Sequence, residues 1–218
     1  MQEQFDIDDR HLKRLTAIEG IIWDLDNTLY RLDEILQDAF HLSIARAAIN
    51  AGAPLRLGEA AKLARQSFLD YGYSGQVFID NFKIDQRNLH FEFHGFLDET
   101  VIEKSQEIRA LFVELALRHV LVTHSARPWA LRVLAHLNLQ DWFPAEQVLA
   151  LEDYGFVYKH ESEEAFDKAL RIMALKPGKV LVVEDTLKNL KIPHEMGLMT
   201  CFIHHDAVPD WRPEFVDI

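Results

Sequence analysis

The chain has 218 residues, 49% of them hydrophobic, and 35 acidic against 23 basic residues give a formal charge of -12. That apolar share suits one domain with a sizeable core, or one domain with a modest insertion. The acidic excess repels nucleic acid phosphates and anionic membrane surfaces, so neither is an expected partner.

Cys201 is the single cysteine, which allows no internal disulfide, and within MTCFI it reads as a buried strand residue in a reducing compartment. The charged start MQEQFDIDDRHLKRL lacks the apolar core of a signal peptide, and no apolar run approaches membrane-spanning length, so a cytoplasmic location is expected.

In chain order, five short apolar runs read as buried parallel strands: Gly20 to Trp23, His119 to Val122, Val148 to Leu151, Lys179 to Val183 and Met199 to Ile203. Between the first two, roughly residues 31–100 carry helical spacing such as Leu36, Phe40, Ile44 and Ala47 but no convincing strand. Gly52, Pro54, Gly58, Gly72 and Gly75 cut this insertion into short helices, and Ile108, Leu111, Phe112 and Leu115 form an amphipathic helix leading into the second strand. Later, Ala130, Val133, Leu134 and Leu137, then Phe166, Ala169, Leu170 and Met173, repeat at helical spacing. Ser125 and Pro128 suit a helix start, and Pro177 with Gly178 ends the helix before the fourth strand. Strand alternates with helix, so the fold class is α/β. Residues 1–30 and 101–218 are read as a catalytic core, with 31–100 as a helical cap leaving from the ligand-binding edge of the sheet.

The first strand ends in IIWDLDNTLY, where alternation turns Asp24 and Asp26 to the same side. One carboxylate can attack phosphorus while a second protonates the leaving oxygen and later activates water; a bare D-x-D is equally compatible with a solvated acidic turn. The second strand ends in VLVTHSARP, placing Thr123 to bind a phosphoryl oxygen or merely to cap a helix. Lys159, in GFVYKHESEEAF, is suited to neutralise phosphate and steady Asp24, although a lone lysine is usually just solvated. The fourth strand ends in VLVVEDTLKNL, so Glu184 and Asp185 offer oxygen donors for magnesium, or an acidic helix start. What distinguishes the chemical reading from the bland ones is the ordered set.

That series, DLDNTLY, VTHS, Lys159 before ESEEAF, and VVEDTLKN, resembles the four motifs of the haloacid dehalogenase-like hydrolase superfamily over residues 20 to 203 or thereabouts. The resemblance implies a Rossmann-like parallel sheet core with a helical cap inserted after the first strand. It also implies Asp24 as nucleophile, Asp26 as acid and base, Thr123 and Lys159 as phosphate ligands, and Asp24, Asp26 and Asp185 at a magnesium ion, with Glu184 in support. DLDNTLY, the stretch around FLDYGYS, and EDTLKNL are most similar to the pyrimidine 5′-nucleotidase-like branch. Asp26 argues against the dehalogenases that name the superfamily, because they lack this second acid and need no metal. His124, His160 and Glu184 depart from residues common in relatives, namely Asn, Pro and Asp. The Glu-Asp pair also occurs in beta-phosphoglucomutase-like members.

The expected activity is therefore magnesium-dependent hydrolysis of a small phosphorylated metabolite through an aspartyl phosphate, with pyrimidine nucleoside monophosphates as the implied substrates. A sugar phosphomutase, a sugar-phosphate phosphatase and a regulatory protein that keeps the fold are the alternatives. Other residues have two readings each. His90 and His94 share one helical face and suit either a ligand or core packing. His204, His205 and Asp206 resemble a metal cluster superficially, and Arg127 lies near the phosphate loop or serves a surface ion pair. Tyr30, Phe78 and Phe82, and the stretch through Phe96 with Asn81 and Asn88, offer stacking faces and base-edge partners, or simply cap core.

Overall fold

The computed structural model describes residues 9–205 and 211–218. Its centre is a five-stranded, wholly parallel sheet of order β3-β2-β1-β4-β5. The strands are β1 (Gly20–Trp23), β2 (Arg118–Val122), β3 (Val148–Leu149), β4 (Val180–Glu184) and β5 (Met199–Phe202). The Ile, Leu and Val of β1 to β4 follow from burial on both faces, while β5, MTCF, is only partly buried at its end. Ile21, Trp23, Leu121 and Val183 turn into one core, while Ile22, Val120, Val122 and Val182 turn into the other, as a side-chain period of two requires.

The described helices are α1 (Asp9–Leu15), α2 (Glu34–Asn50), α3 (Leu57–Tyr71), α4 (Gln76–Phe82), α5 (Gln86–Gly95), α6 (Gln106–Glu114), α7 (Arg127–His136), α8 (Glu164–Met173) and α9 (Lys191–Glu195). Ala165, Phe166, Ala169, Leu170 and Met173 of α8 are all buried, which is the face their spacing foretells. Gly20 is required where α8 ends over β1: a Cβ there would stand 2.7 Å from Met173 Sδ and 2.8 Å from Leu175 Cδ1. Beyond β5, Phe202 N donates to Ile218 O and Ile218 N to Thr200 O, at 2.9 and 3.0 Å, so the C-terminal segment covers that sheet edge.

Helices α2 to α6 lie between β1 and β2, with α2 to α5 inside residues 31–100. Asp33 caps α2 by accepting from Leu36 N at 2.8 Å, and Asp85 caps α5 by accepting from Asn88 N at 2.8 Å. Gly72 ends α3 in the left-handed region with φ 73, where a side chain would be strained. Small buried residues, Ala45 and Ala48 on α2 and Ala60, Ala61 and Ala64 on α3, let the two helices approach closely. Phe40 of α2 meets Trp129 of α7 edge-on with centroids 6.0 Å apart, joining these helices to the sheet's flanking layer.

Three local expectations are corrected. Val148 to Leu151 is not all strand, because Leu151–Tyr154 winds into a 3-10 turn closed by Gly155 at φ 81. Lys179 belongs to a 3-10 turn before β4. The residue that caps α7 is Ala126 rather than Ser125, because the Ser125 hydroxyl is committed to a carboxylate.

Candidate active site

The parallel strands deliver their C-terminal ends to one edge, where the order reverses between β1 and β4 and a crevice for ligand opens. Asp24 directly follows β1, its amide extending the ladder by donating to Val183 O at 3.0 Å. Asn27 then adopts φ 66, a left-handed conformation asparagine tolerates. Its side chain accepts from Leu32 N at 3.0 Å and donates to Asp185 Oδ2 at 2.9 Å, tying the turn after β1 to the end of β4.

Lys159 is 1% exposed, and its ammonium lies 2.6 Å from Asp24 Oδ1 and 2.5 Å from Glu184 Oε2. It also donates to Val122 O at 3.3 Å, so one buried cation joins the ends of β1, β2 and β4. Burial disfavours the charge, yet Asp24 and Glu184 outweigh that and raise the Lys159 pKa. Burial, then Glu184, pushes Asp24 up to about 7 despite Lys159, and burial raises Glu184 to about 6. Asp185 is raised as well, by burial and then by Asp24. Oxygens of Asp24, Glu184 and Asp185 all lie within 4.8 Å of one another. Crowded carboxylates with raised pKa values and oxygen-only donors fit a hard divalent cation, which would relieve their mutual repulsion.

Asp26 is expected at the metal beside Asp24 and Asp185, but its carboxylate stands outside the trio, which Glu184 completes instead, and meets four donors. Oδ1 accepts from the Tyr30 hydroxyl and, at 3.1 Å, from Trp129 Nε1; Oδ2 accepts from Ser125 Oγ at 2.6 Å and Thr123 Oγ1 at 3.3 Å. Ser125 and Trp129 are partners that the sequence reading missed. The available signal was that a fully buried tryptophan N–H needs an acceptor, and Trp129 is 0% exposed.

The remaining candidates sort by their contacts. Thr123 is fully buried, and its Oγ1 accepts from Ser125 N at 3.0 Å. His124 Nε2 accepts from Lys159 N at 2.9 Å, and burial, then the Lys159 charge, holds its pKa well below the usual value. His160 stacks on Tyr158 with centroids 5.7 Å apart. His205 Nε2 bonds Asn27 O at 2.8 Å, His204 stacks on Phe202, and Asp206 lies outside the described residues. Arg127 is a structural residue: its guanidinium donates to Ala145 O, Val148 O and Asp153 Oδ2 at 2.6 to 2.7 Å.

Above the site lies a cavity of about 520 Å³, reached by Asp26, Ser125 and Thr186 from below and walled by Phe40, Phe68, Tyr71, Tyr73, Phe93 and Tyr158. His90 and His94 face it. Phe78 is 0% exposed and packs on Phe82, Tyr30 serves Asp26, and Asn81 and Asn88 are exposed away from the lining. Phe91 and Phe96 are likewise absent from the lining.

A family model described as haloacid dehalogenase-like hydrolase matches residues 18–197. Among solved structures, the chain is similar to the Bacillus subtilis HAD-hydrolase YfnB, which was solved bound to magnesium. That pair shows 18% identity and TM-score 0.58, covering 89% of this chain and 90% of that one. The L-2-haloacid dehalogenase of Xanthobacter autotrophicus aligns at 16% identity and TM-score 0.53, covering 85% and 77%. A structure described as a phosphoglycolate phosphatase from Lactobacillus plantarum aligns at 18% identity and TM-score 0.57, covering 84% of each chain. No curated protein sequence matches the chain.

Proposed function

The chain belongs to the haloacid dehalogenase-like hydrolase family, and we propose that within it the protein is a magnesium-dependent phosphomonoesterase acting through an aspartyl phosphate on Asp24. The observation that carries this reading is the Lys159 ammonium held between Asp24 and Glu184, with Asp185 in the same carboxylate trio. A buried carboxylate steadied by a cation, with a second acid two residues on, is equipped for nucleophilic attack and proton transfer.

Asp24 attacks phosphorus in line while Asp26 gives its proton to the leaving oxygen, and water that Asp26 deprotonates then releases phosphate from Asp24. Lys159 orients Asp24 and offsets its charge, and Thr123, 3.3 Å from Asp26, contributes a hydroxyl to the phosphoryl oxygens once substrate displaces it. Asp24 and Asp185 would hold magnesium with support from Glu184, and the ion when bound supplies charge neutralisation for the phosphate. Residues 31–100 form the cap, which excludes water from the first step. The location is cytoplasmic, and the partner is a small metabolite rather than nucleic acid or membrane.

For the substrate, the aromatic walls of the cavity support a leaving group with a flat face, which favours pyrimidine nucleoside monophosphates over sugar phosphates or the phosphomutase reaction. Phosphate release with magnesium across nucleoside monophosphates, sugar phosphates and phosphoglycolate tests this through ratios of kcat/KM. A preference of more than about tenfold for sugar phosphates, near 1.4 kcal/mol in transition-state binding, would reject the nucleotidase reading and retain the phosphatase.

A further inference from the structure

An ionised carboxylate offers roughly four lone-pair directions, and the four donors around Asp26 account for all of them. A group that takes up a proton during turnover needs one of these directions released. The Trp129 N–H is fixed in its ring, and the Tyr30 and Thr123 hydroxyls have no second acceptor among the described residues. Ser125 differs. Its Oγ lies 2.6 Å from Asp26 Oδ2 and also 3.1 Å from His94 Nε2.

The surroundings of His94 decide which ring nitrogen is the acceptor. Nδ1 lies 2.6 Å from the carbonyl oxygen of His90, so it carries the hydrogen. The Ala126 N–H points at Nε2 at 3.3 Å, so that nitrogen carries the lone pair, and the long, three-centre contact leaves it open to the serine hydroxyl at 3.1 Å as well. Burial, then the neighbouring His90, depresses the His94 pKa well below its ordinary value and keeps the ring neutral. The residue is 2% exposed. Arg132 fixes it further by donating to His94 O at 3.2 Å and Leu97 O at 3.0 Å.

We propose that His94 is a positioning residue for Asp26 acting through Ser125: the serine hydroxyl turns from Asp26 Oδ2 to His94 Nε2 and thereby opens that oxygen to the proton of the reaction. This rests on the phosphatase reading. In the hydrolytic half, water forms its bond to phosphorus, its proton goes to Asp26 Oδ2, and the Asp24 O–P bond breaks. The new carboxyl O–H donates to Ser125 Oγ, while Ser125 keeps its own hydrogen and directs it to His94. In the first half, the Asp26 proton passes to the leaving oxygen and the serine hydroxyl turns back. His94 gains no proton in either half.

A double-mutant cycle of His94→Phe and Ser125→Ala, read as kcat and KM for phosphate release, tests the assignment. The phenyl ring keeps the packing and removes the acceptor, so kcat should fall about tenfold or more with KM nearly unchanged. The double variant should be no slower than Ser125→Ala alone, and His94→Gln, whose amide oxygen accepts, should recover most of the rate. Equal losses in both backgrounds, or a change confined to KM, would overturn the proposal. Imidazole nitrogen NMR on the wild-type protein is independent of turnover: His94 should carry its hydrogen on Nδ1, with the Nε2 signal moving in Ser125→Ala. Hydrogen on Nε2 would overturn the His94 assignment alone. Absence of phosphate release with the expected tautomer would overturn the phosphatase reading and the positioning role with it.

Discussion

The backbone N–H of Lys159 donates to Nε2 of His124 at 2.9 Å, so the residue beside Thr123 holds the loop that delivers the buried ammonium. The acceptor is a neutral ring nitrogen, and an asparagine side-chain oxygen offers the same bond. His124→Asn should therefore keep kcat within about threefold, whereas His124→Leu, which leaves the buried amide unpaired, should lower it by about tenfold or more. Steady-state phosphate release compares the two, and equal rates would remove His124 from this role.

Asp24→Asn should abolish release from a generic aryl phosphate, since an amide is no anionic nucleophile. Asp185→Ala should instead slow turnover and raise the magnesium concentration at half-maximal rate, because it removes an oxygen donor and leaves Asp24 in place. Full activity in the first variant or an unchanged magnesium titration in the second contradicts these roles.

Lys159→Met tests stability separately from chemistry. It strands Asp24 and Glu184, 7% and 2% exposed, without their shared cation. Removing one partner of a buried ion pair costs about 3–5 kcal/mol, which urea unfolding at neutral pH should register. Magnesium should restore part of the loss.

The neutral His94 gives the fold a pH dependence of known sign. Its folded pKa lies well below the ordinary value of 6.5, so below that pH the unfolded chain takes a proton the fold refuses. His94 then favours folding fully above pH 6.5 and progressively less as pH falls toward its folded value, by up to about 1.4 kcal/mol per pH unit. Urea unfolding of wild type and His94→Gln from pH 7.5 to 5.5 isolates this contribution, because the raised acids of the site act alike in both. The wild type should lose more stability than the variant over that interval, and parallel curves would refute the prediction.

Tyr71 lines the cavity and is 57% exposed, so Tyr71→Ala should not disturb the fold. Loss of one stacking face costs about 0.5–1.5 kcal/mol. KM for a pyrimidine monophosphate should rise by up to about tenfold, with little change for methyl phosphate.

Strands and the candidate residues at their ends were legible because both are written locally: buried parallel strands are short apolar runs, and Asp24, Thr123 and Glu184-Asp185 sit at or directly after them, whereas Lys159, in the loop between β3 and α8, stood out only through the ordered series of motifs. The α8 face was equally plain from Phe166, Ala169, Leu170 and Met173. What periodicity leaves open is which side of a helix meets which neighbour. Phe78 and Phe93 look alike in sequence, but α4 buries the first inside the cap and α5 turns the second toward the cavity. Ser125 read as a helix cap for the same reason, since Asp26, 99 positions away, is invisible to local rules.

Arg132 makes residues 94–99 partners of α7, through the carbonyls of His94 and Leu97 and the carboxylate of Glu99 at 2.8 Å. Anyone grafting a different cap onto this core, or this cap onto another, inherits that attachment. A chimera joined at residue 100 would separate a guanidinium from three acceptors and leave them without their cation. A join placed before α5's last turn, with His94 retained on the recipient side, carries the anchor across intact and exchanges only the walls that meet the leaving group.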